Sequence, residues 1–170
     1  LKVAVGLPLA VLLTSVLKLK GFFRSVIYFP VLVSTVAVGI TFSTLMQPST
    51  GLINKTLGML GAGRIDWLGD PALALYSVVA VDVWKGVGLA MVIFMAGIQS
   101  IPTDYFDAAR LEGGSWVEFR HVILPLSRNA SFTVILLSFI GGLRTFDLIW
   151  TMTHGGPGFA SDVLTSVIFK

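Results

Sequence analysis

Between Ser25 and Met46 the chain runs for 22 residues without a single Asp, Glu, Lys, Arg or His. A helix needs about 20 apolar residues to cross the hydrocarbon layer of a bilayer, so this run is of spanning length. Composition agrees: only 12% of residues are charged and 55% are hydrophobic, with mean hydropathy +0.87. Soluble domains carry about 25% charged residues, and half that cannot clothe a soluble surface. The 18 Gly and 7 Pro fit as well, since both are commoner in membrane helices than in soluble ones. The fold class expected is all-α, a polytopic transmembrane helical bundle. A formal charge of +3, without a basic stripe laced with aromatics, is no nucleic-acid footprint. The absence of Cys excludes disulfides and Cys-based metal or redox sites.

Four spans are expected, at about 1–17, 25–46, 72–98 and 129–150. The connections between them assign the sides. Lys18, Lys20 and Arg24 follow the first span with no acid among them, which marks a cytoplasmic loop. With Arg110, Arg120 and Arg128 added, six basic residues lie inside; Lys55 and Arg64, the two outside, are offset by Asp66 and Asp70. The outer interval 47–71 is expected to carry a short surface helix over Leu52–Leu60 and an interfacial Trp67. A second outer loop covers 151–162, where Gly155-Gly156-Pro157-Gly158 reads as a turn and Ser161-Asp162 as a cap for the apolar stretch beyond it. Pro30 falls near the start of the second span, where a missing amide costs least. The chain opens inside one apolar run and closes as another begins at Val163, which reads as a fragment of a longer chain.

The cytoplasmic connection 99–128 holds the polar interval Ile101–Leu126, where Asp104, Asp107, Glu112 and Glu118 account for four of the nine acids. Pro102 suits a helix start, because its missing amide is one that a helix N-terminus leaves unpaired anyway. Asp104 and Asp107 then fall where the helix dipole favours negative charge. Tyr105, Ala108, Ala109 and Glu112 share a side at helical spacing, and the two Ala offer a flat surface for close approach. Gly113-Gly114 breaks the helix. Ser115 with Glu118 reads as a capping box opening a second helix, with Trp116, Phe119 and Val122 on its apolar side and Pro125 at its exit. On local chemistry alone, this helix-turn-helix suits a docking surface and an ordinary amphipathic connector equally well.

No catalytic or metal site emerges. The one Lys-Thr pair, Lys55-Thr56, has Asn54 and Ser49 where a phosphate-cradling P-loop needs Gly, so the chain has no ATPase site of its own. His121 and His154 fall on opposite sides of a span and cannot share a metal, and no nucleophile–base arrangement is visible. Asp82 and Lys85, and Arg144 and Asp147, are ionisable residues at i, i+3 within spans. Such residues mark functional sites by default, and equally they can pair to lower the cost of insertion. Trp84, Phe94, Phe139 and Phe146 could offer stacking faces to a ligand or simply pack against neighbours.

Asp107-Ala108-Ala109, three residues, Gly113 and the closing Leu124-Pro125 resemble the EAA loop of permease subunits of bacterial ABC importers. Phe29-Pro30, Gly51-Leu-Ile-Asn54, Trp84-Lys85 with Gly88, Ala96 to Pro102, and Phe146-Asp147 before Gly155-Gly156-Pro157-Gly158 are similar to signatures of the carbohydrate-uptake branch. The resemblance runs in order along nearly the whole chain. Two departures stand out: Asp replaces Glu at 107, keeping the charge but shortening its reach, and the interval from Gly113 to Pro125 is one residue shorter than the pattern, with Val122 two before Leu124. The resemblance implies the MetI-like importer-permease fold, here a single permease domain over 1–170 from a six-span chain. It implies a bacterial or archaeal plasma (inner) membrane location and import of a sugar or sugar-like solute, such as an oligosaccharide, monosaccharide, polyol or glycerol-phosphate. It implies no cofactor. The implied partners are the lipid bilayer, cytoplasmic ATPase subunits pulling on Asp107, Ala108, Ala109, Gly113, Leu124 and Pro125, a second permease subunit, and an extracytoplasmic solute-binding protein touching 47–71 and 151–162. Two rival readings are an ion-coupled transporter or channel using Asp82 and Lys85, and a membrane subunit that binds partners without moving solute.

Overall fold

The computed structural model describes residues 1–14, 19–61, 63–158 and 160–169, so Lys18 and the last residues of the expected first span lie outside the described part. Every regular element among the described residues is helical: α1 (Lys2–Thr14), α2 (Lys20–Leu32), α3 (Thr35–Leu45), α4 (Leu52–Met59), α5 (Ala74–Gln99), α6 (Thr103–Glu112), α7 (Ser115–Val117), a π-helical segment (Glu118–Ile123), α8 (Leu124–Leu126), α9 (Arg128–Leu143), α10 (Asp147–Met152) and α11 (Leu164–Phe169). Among the described residues only α5 is by itself long and apolar enough to cross a membrane, and up to three spans result there if each bent helix pair is counted as one. Its 26 residues extend about 39 Å at 1.5 Å per residue, more than the hydrocarbon thickness.

Two expected spans are interrupted. The interval 25–46 is divided between α2 and α3, with Val33 and Ser34 outside both. Because α2 begins at Lys20, Pro30 lies in its interior near the C-terminal end rather than near a helix start. There its ring removes one intrahelical bond and crowds the carbonyl four residues earlier, and the helix stops two residues on. The interval 129–150 is likewise two helices. α9 ends at Leu143, just past Gly141-Gly142, the residue type that costs a helix most after Pro, and α10 starts only at Asp147.

The chain groups into two compact units: Leu1–Val31 with Lys85–Phe139, and Leu32–Trp84 with Ile140–Lys170. In the first, Leu7, Ala10 and Leu13 of α1 pack with Ala90, Met91, Phe94, Met95 and Ile98 of α5, joined by Ile123 and Val134. Phe94 is fully buried here, which makes it a packing residue rather than an open face for a ligand. Gly88 lets α2 touch the α5 backbone, since a Cβ there would run into the carbonyl of Ile27 and come within 2.9 Å of Tyr28 Cα. Lipid tails are as apolar as Leu, so close packing over small residues, rather than expulsion of water, is what draws such helices together.

The second unit is centred on Val38, Met46, Val78, Val81, Leu148, Ile149 and Met152. α10 lies directly on α3: a Cβ on Gly39 would coincide with the Thr151 side chain. The break before α10 is tied down by a 3.0 Å hydrogen bond from the Thr165 hydroxyl to the Thr145 carbonyl.

Candidate functional site

α6 begins directly after Pro102, which occupies the N-cap position with extended backbone (φ −57°, ψ 142°). Asp104 lies in the first turn of α6 and Arg110 in the last, so both complement the helix dipole. The helix stops at Gly113, and the two adjacent glycines there serve different ends. Gly113 has φ 175°, extended backbone open to any residue; what it lacks is room, because a Cβ would sit 2.5 Å from Val117 Cγ2. Gly114 has φ 72°, a region that a side chain disfavours. The turn therefore needs glycine at 114 for its backbone and at 113 for its packing.

Beyond the turn the expected capping box does not form. Gly114 takes the N-cap position of α7 and no side-chain cap bond is made. The Glu118 carboxylate turns instead to α6, with Oε2 3.6 Å from Arg110 Nε. Residues 118–123 then wind as a π-helix. A π turn holds more residues than an α turn, so side chains past 118 rotate off the 3.6-residue pattern. Trp116 is exposed, Phe119 half-buried and Val122 buried, not the single apolar side that α spacing predicts. Leu124 and Pro125 lie exposed at the exit in α8. At the buried Ser127 the chain bends by 60° into α9.

Ile101, Ala109 and Val122 form a small core of the loop's own, flanked by Phe106 and Val117. This separates the two alanines expected to share a surface: Ala108 is exposed, whereas Ala109 is only 4% exposed. Asp107 and Ala108 instead face water with Tyr105, Leu111 and Trp116, of which Leu111 is 90% exposed. Beneath the loop a cleft of about 490 Å³ is lined by Val11, Ile98, Phe106, Arg110, Glu118 and Phe119 among others.

The charged pairs expected within spans are not joined. Arg144 lies just past α9 and Asp147 opens α10, and no ion pair links them among the described residues; the i, i+3 rule holds only along a continuous helix. Asp82 and Lys85 are one turn apart on α5 and both half-buried, yet Lys85 makes no ion pair among the described residues. The side chain of Lys2 runs over the α5 backbone next to it, its Nζ 2.9 Å from where a Cβ of Gly86 would lie. Trp84 is exposed and tilts against Phe42 at 5.1 Å; Phe139 is exposed, and Phe146 stacks on Trp150 at 5.4 Å.

The interval 47–71 is built around Asn54, buried in α4. Its amide donates to the carbonyls of Gln47 at 3.2 Å and Ile65 at 2.8 Å, and its oxygen accepts from Ile65 N–H at 3.2 Å and Trp67 Nε1 at 3.3 Å. Trp67 is a half-buried, hydrogen-bonded member of the second unit. Gly51 is needed because a Cβ would strike the Leu45 carbonyl and lie 2.5 Å from that of Gln47. In 151–162 the fully buried Ser161 bonds Thr153 Oγ1 and the Gly156 carbonyl, each at 2.7 Å. The hydroxyl of Ser166 donates to Asp162 at 2.9 Å. The sequence marked both places, Asn54 within the Gly51-Leu-Ile-Asn54 signature and Ser161 as a cap, but not their part as hydrogen-bonding hubs.

Known proteins share much of this sequence. Among curated relatives, the probable ABC transporter permease protein YurN of Bacillus subtilis is 35% identical over 97% of this chain and 58% of its own length. The trehalose/maltose transport system permease protein MalF of Thermococcus litoralis is 35% identical over 100% of this chain and again 58% of its own. The chain therefore spans 58% of the length of these relatives. A solved structure of a bacterial alginate ABC transporter, in complex with an alginate pentasaccharide-bound periplasmic protein, superposes with a TM-score of 0.85 over 98% of this chain and 59% of that chain, at 24% identity. At that identity the likeness establishes the helical fold. Residues 3–169 match the family described as binding-protein-dependent transport system inner membrane component, and the chain belongs to that family.

Proposed function

We propose that the chain is the membrane-spanning permease part of an ABC importer for a sugar or sugar-like solute, driven by ATP hydrolysis in a separate subunit that pulls on the 101–126 loop. The observation that carries this reading is the division of labour in the loop. Ala109 is locked into the core formed with Ile101 and Val122, while Asp107, Ala108 and Leu111 are turned to water. A surface meant only to connect two spans gains nothing from a Leu that is 90% exposed; a surface that is covered in an assembly does. Asp107, Ala108 and Leu111 then form the docking face, Ala109 and Gly113 hold it rigid, and Leu124 and Pro125 pass its motion to α9. The chain itself is a transport subunit and not an ATPase.

The sugar class is supported by relatives whose names carry trehalose/maltose, xylose/arabinose and arabinooligosaccharides. The partners are cytoplasmic ATPase subunits, a second permease subunit, and a solute-binding protein meeting the outer loops 47–71 and 151–162. The location is the plasma (inner) membrane, with spans built from α1, α2–α3, α5 and α9–α10. Half-buried Asp82, Lys85 and exposed Arg144 and Asp147 are candidate solute-path residues. The test is reconstitution of the full-length protein with these partners in liposomes. ATP-dependent uptake of a sugar from a solute panel is expected; uptake that proceeds equally without the ATPase subunits would mean an ion-coupled carrier instead.

A further inference from the structure

The loop's two arms, α6 and the π segment, meet at two neighbouring positions. Ala109 makes the apolar contact with Ile101 and Val122. Arg110, the next residue, makes the polar one through Glu118 at 3.6 Å. One contact alone would leave α6 free to pivot about the Gly113-Gly114 turn. A second, one residue round the helix and so about 100° away, removes that rotation. Arg110 also has Nη1 3.4 Å from Asp107 Oδ1. One cation thus links the outward carboxylate of Asp107, 68% exposed, to that of Glu118, which is only 22% exposed. Glu118 is the first residue of the π segment and lines the cleft shared with Val11 of α1 and Ile98 of α5. The line Asp107–Arg110–Glu118 therefore runs from the face in water to the base of the spans.

We propose that Glu118 is a positioning residue for energy coupling. Through Arg110 it fixes the angle of α6, so that a pull on the Asp107 face turns the π segment and the spans instead of being lost in a swivel at Gly114. This rests on the importer reading above. An exposed ion pair adds little to folding stability, and its value here is geometric. The sequence pattern alone assigns Glu118 to a helix cap, a role the structure withdraws.

The experiment uses the full-length protein with its permease and ATPase partners in liposomes, reading solute moved per ATP hydrolysed and capture of the ATPase subunits. Glu118→Gln should lower the solute-to-ATP ratio by about fivefold, with capture unchanged. The 170 residues include no Cys, so, once any Cys elsewhere in the full-length protein and its partners is replaced, an Arg110→Cys/Glu118→Cys pair can be bridged selectively by a bis-methanethiosulfonate linker. The unbridged pair should be as uncoupled as Glu118→Gln, and the bridge should restore the parental ratio, which a merely local packing role would not produce. A parental ratio in Glu118→Gln, or a bridged pair that stays uncoupled, overturns the proposal. A parent protein that shows no ATP-dependent uptake at all is a different failure, that of the importer reading itself.

Discussion

The two polar connections of this chain, 47–71 and 101–126, are held in shape by opposite means. The first hangs on a single buried amide: four hydrogen bonds converge on Asn54. The second has no such hub among the described residues. It is held by a three-residue apolar core and an ion pair, contacts that can slide by tenths of an ångström without leaving a buried donor unpaired. A hydrogen-bonded hub is all-or-none, whereas a greasy contact with a salt bridge tolerates displacement. That suits one loop to holding still and the other to being pushed, and each can be broken in its own way.

The largest effect should come from the loop core. Ala109→Asp buries an unpaired carboxylate against Ile101 and Val122 and should cost ~3 kcal/mol or more. The amides of 103–123 should lose hydrogen-exchange protection while those of α5 keep theirs. Ala108→Asp, one residue away but exposed, should leave that protection intact and weaken only the capture of ATPase subunits. Equal damage from both would mean that the two alanines share one surface after all.

Next is the hub. Asn54→Ala strands the Ile65 carbonyl, the Ile65 N–H and the Trp67 indole N–H, while the Gln47 carbonyl keeps the Gly51 N–H at 3.0 Å, for ~2–3 kcal/mol. Exchange should accelerate through 47–67, and the Trp67 emission should shift to the red as the ring is released. Gly51→Ala attacks the same loop through its backbone. Its Cβ would lie 2.5 Å from the Gln47 carbonyl and 2.7 Å from the Gln47 nitrogen, so the turn must open. We expect ~1–2 kcal/mol, read as the same exchange pattern at smaller amplitude.

These sites also show how far the structure was legible in the sequence. Helix everywhere came from hydropathy and charge, and α5 came out nearly to the residue because nothing in 74–99 interrupts it. The breaks at 33–34 and 144–146 were hidden because hydropathy reports whether a segment is apolar, not whether its backbone is continuous; Pro30 and Gly141-Gly142 carried the information. In the loop, the turn at Gly113-Gly114 was readable from composition. The split of Ala108 from Ala109 was not, since i, i+3, i+4 spacing gives a shared side but not which way it faces. The pairing of Arg110 with Glu118 depends on how the chain folds back across the Gly113-Gly114 turn, which spacing along a single helix does not contain.

The turn itself should respond modestly. Gly114→Ala forces a side chain to φ 72°, ψ −155°, a region essentially reserved for Gly, at a cost of ~1–2 kcal/mol. Gly113→Ala instead meets Val117 Cγ2, a contact that Val117→Ala should relieve. Rescue of the 113 variant, but not the 114 variant, by Val117→Ala in a thermal-melt series would separate packing from backbone strain within two adjacent glycines.

The smallest effect on the protein alone is the most informative about its surroundings. Leu111 is 90% exposed and belongs to none of the apolar clusters. Leu111→Ala should therefore change stability by less than ~0.5 kcal/mol. If the exposed face of α6 is covered by the ATPase subunit, that side chain loses most of its water contact only in the assembly, where truncating it should weaken capture about tenfold. A stability change with no loss of capture would place Leu111 inside the loop's own packing. Loss of capture with stability unchanged would mean that what Asn54 does for the 47–71 loop from within, a partner does for α6 from outside.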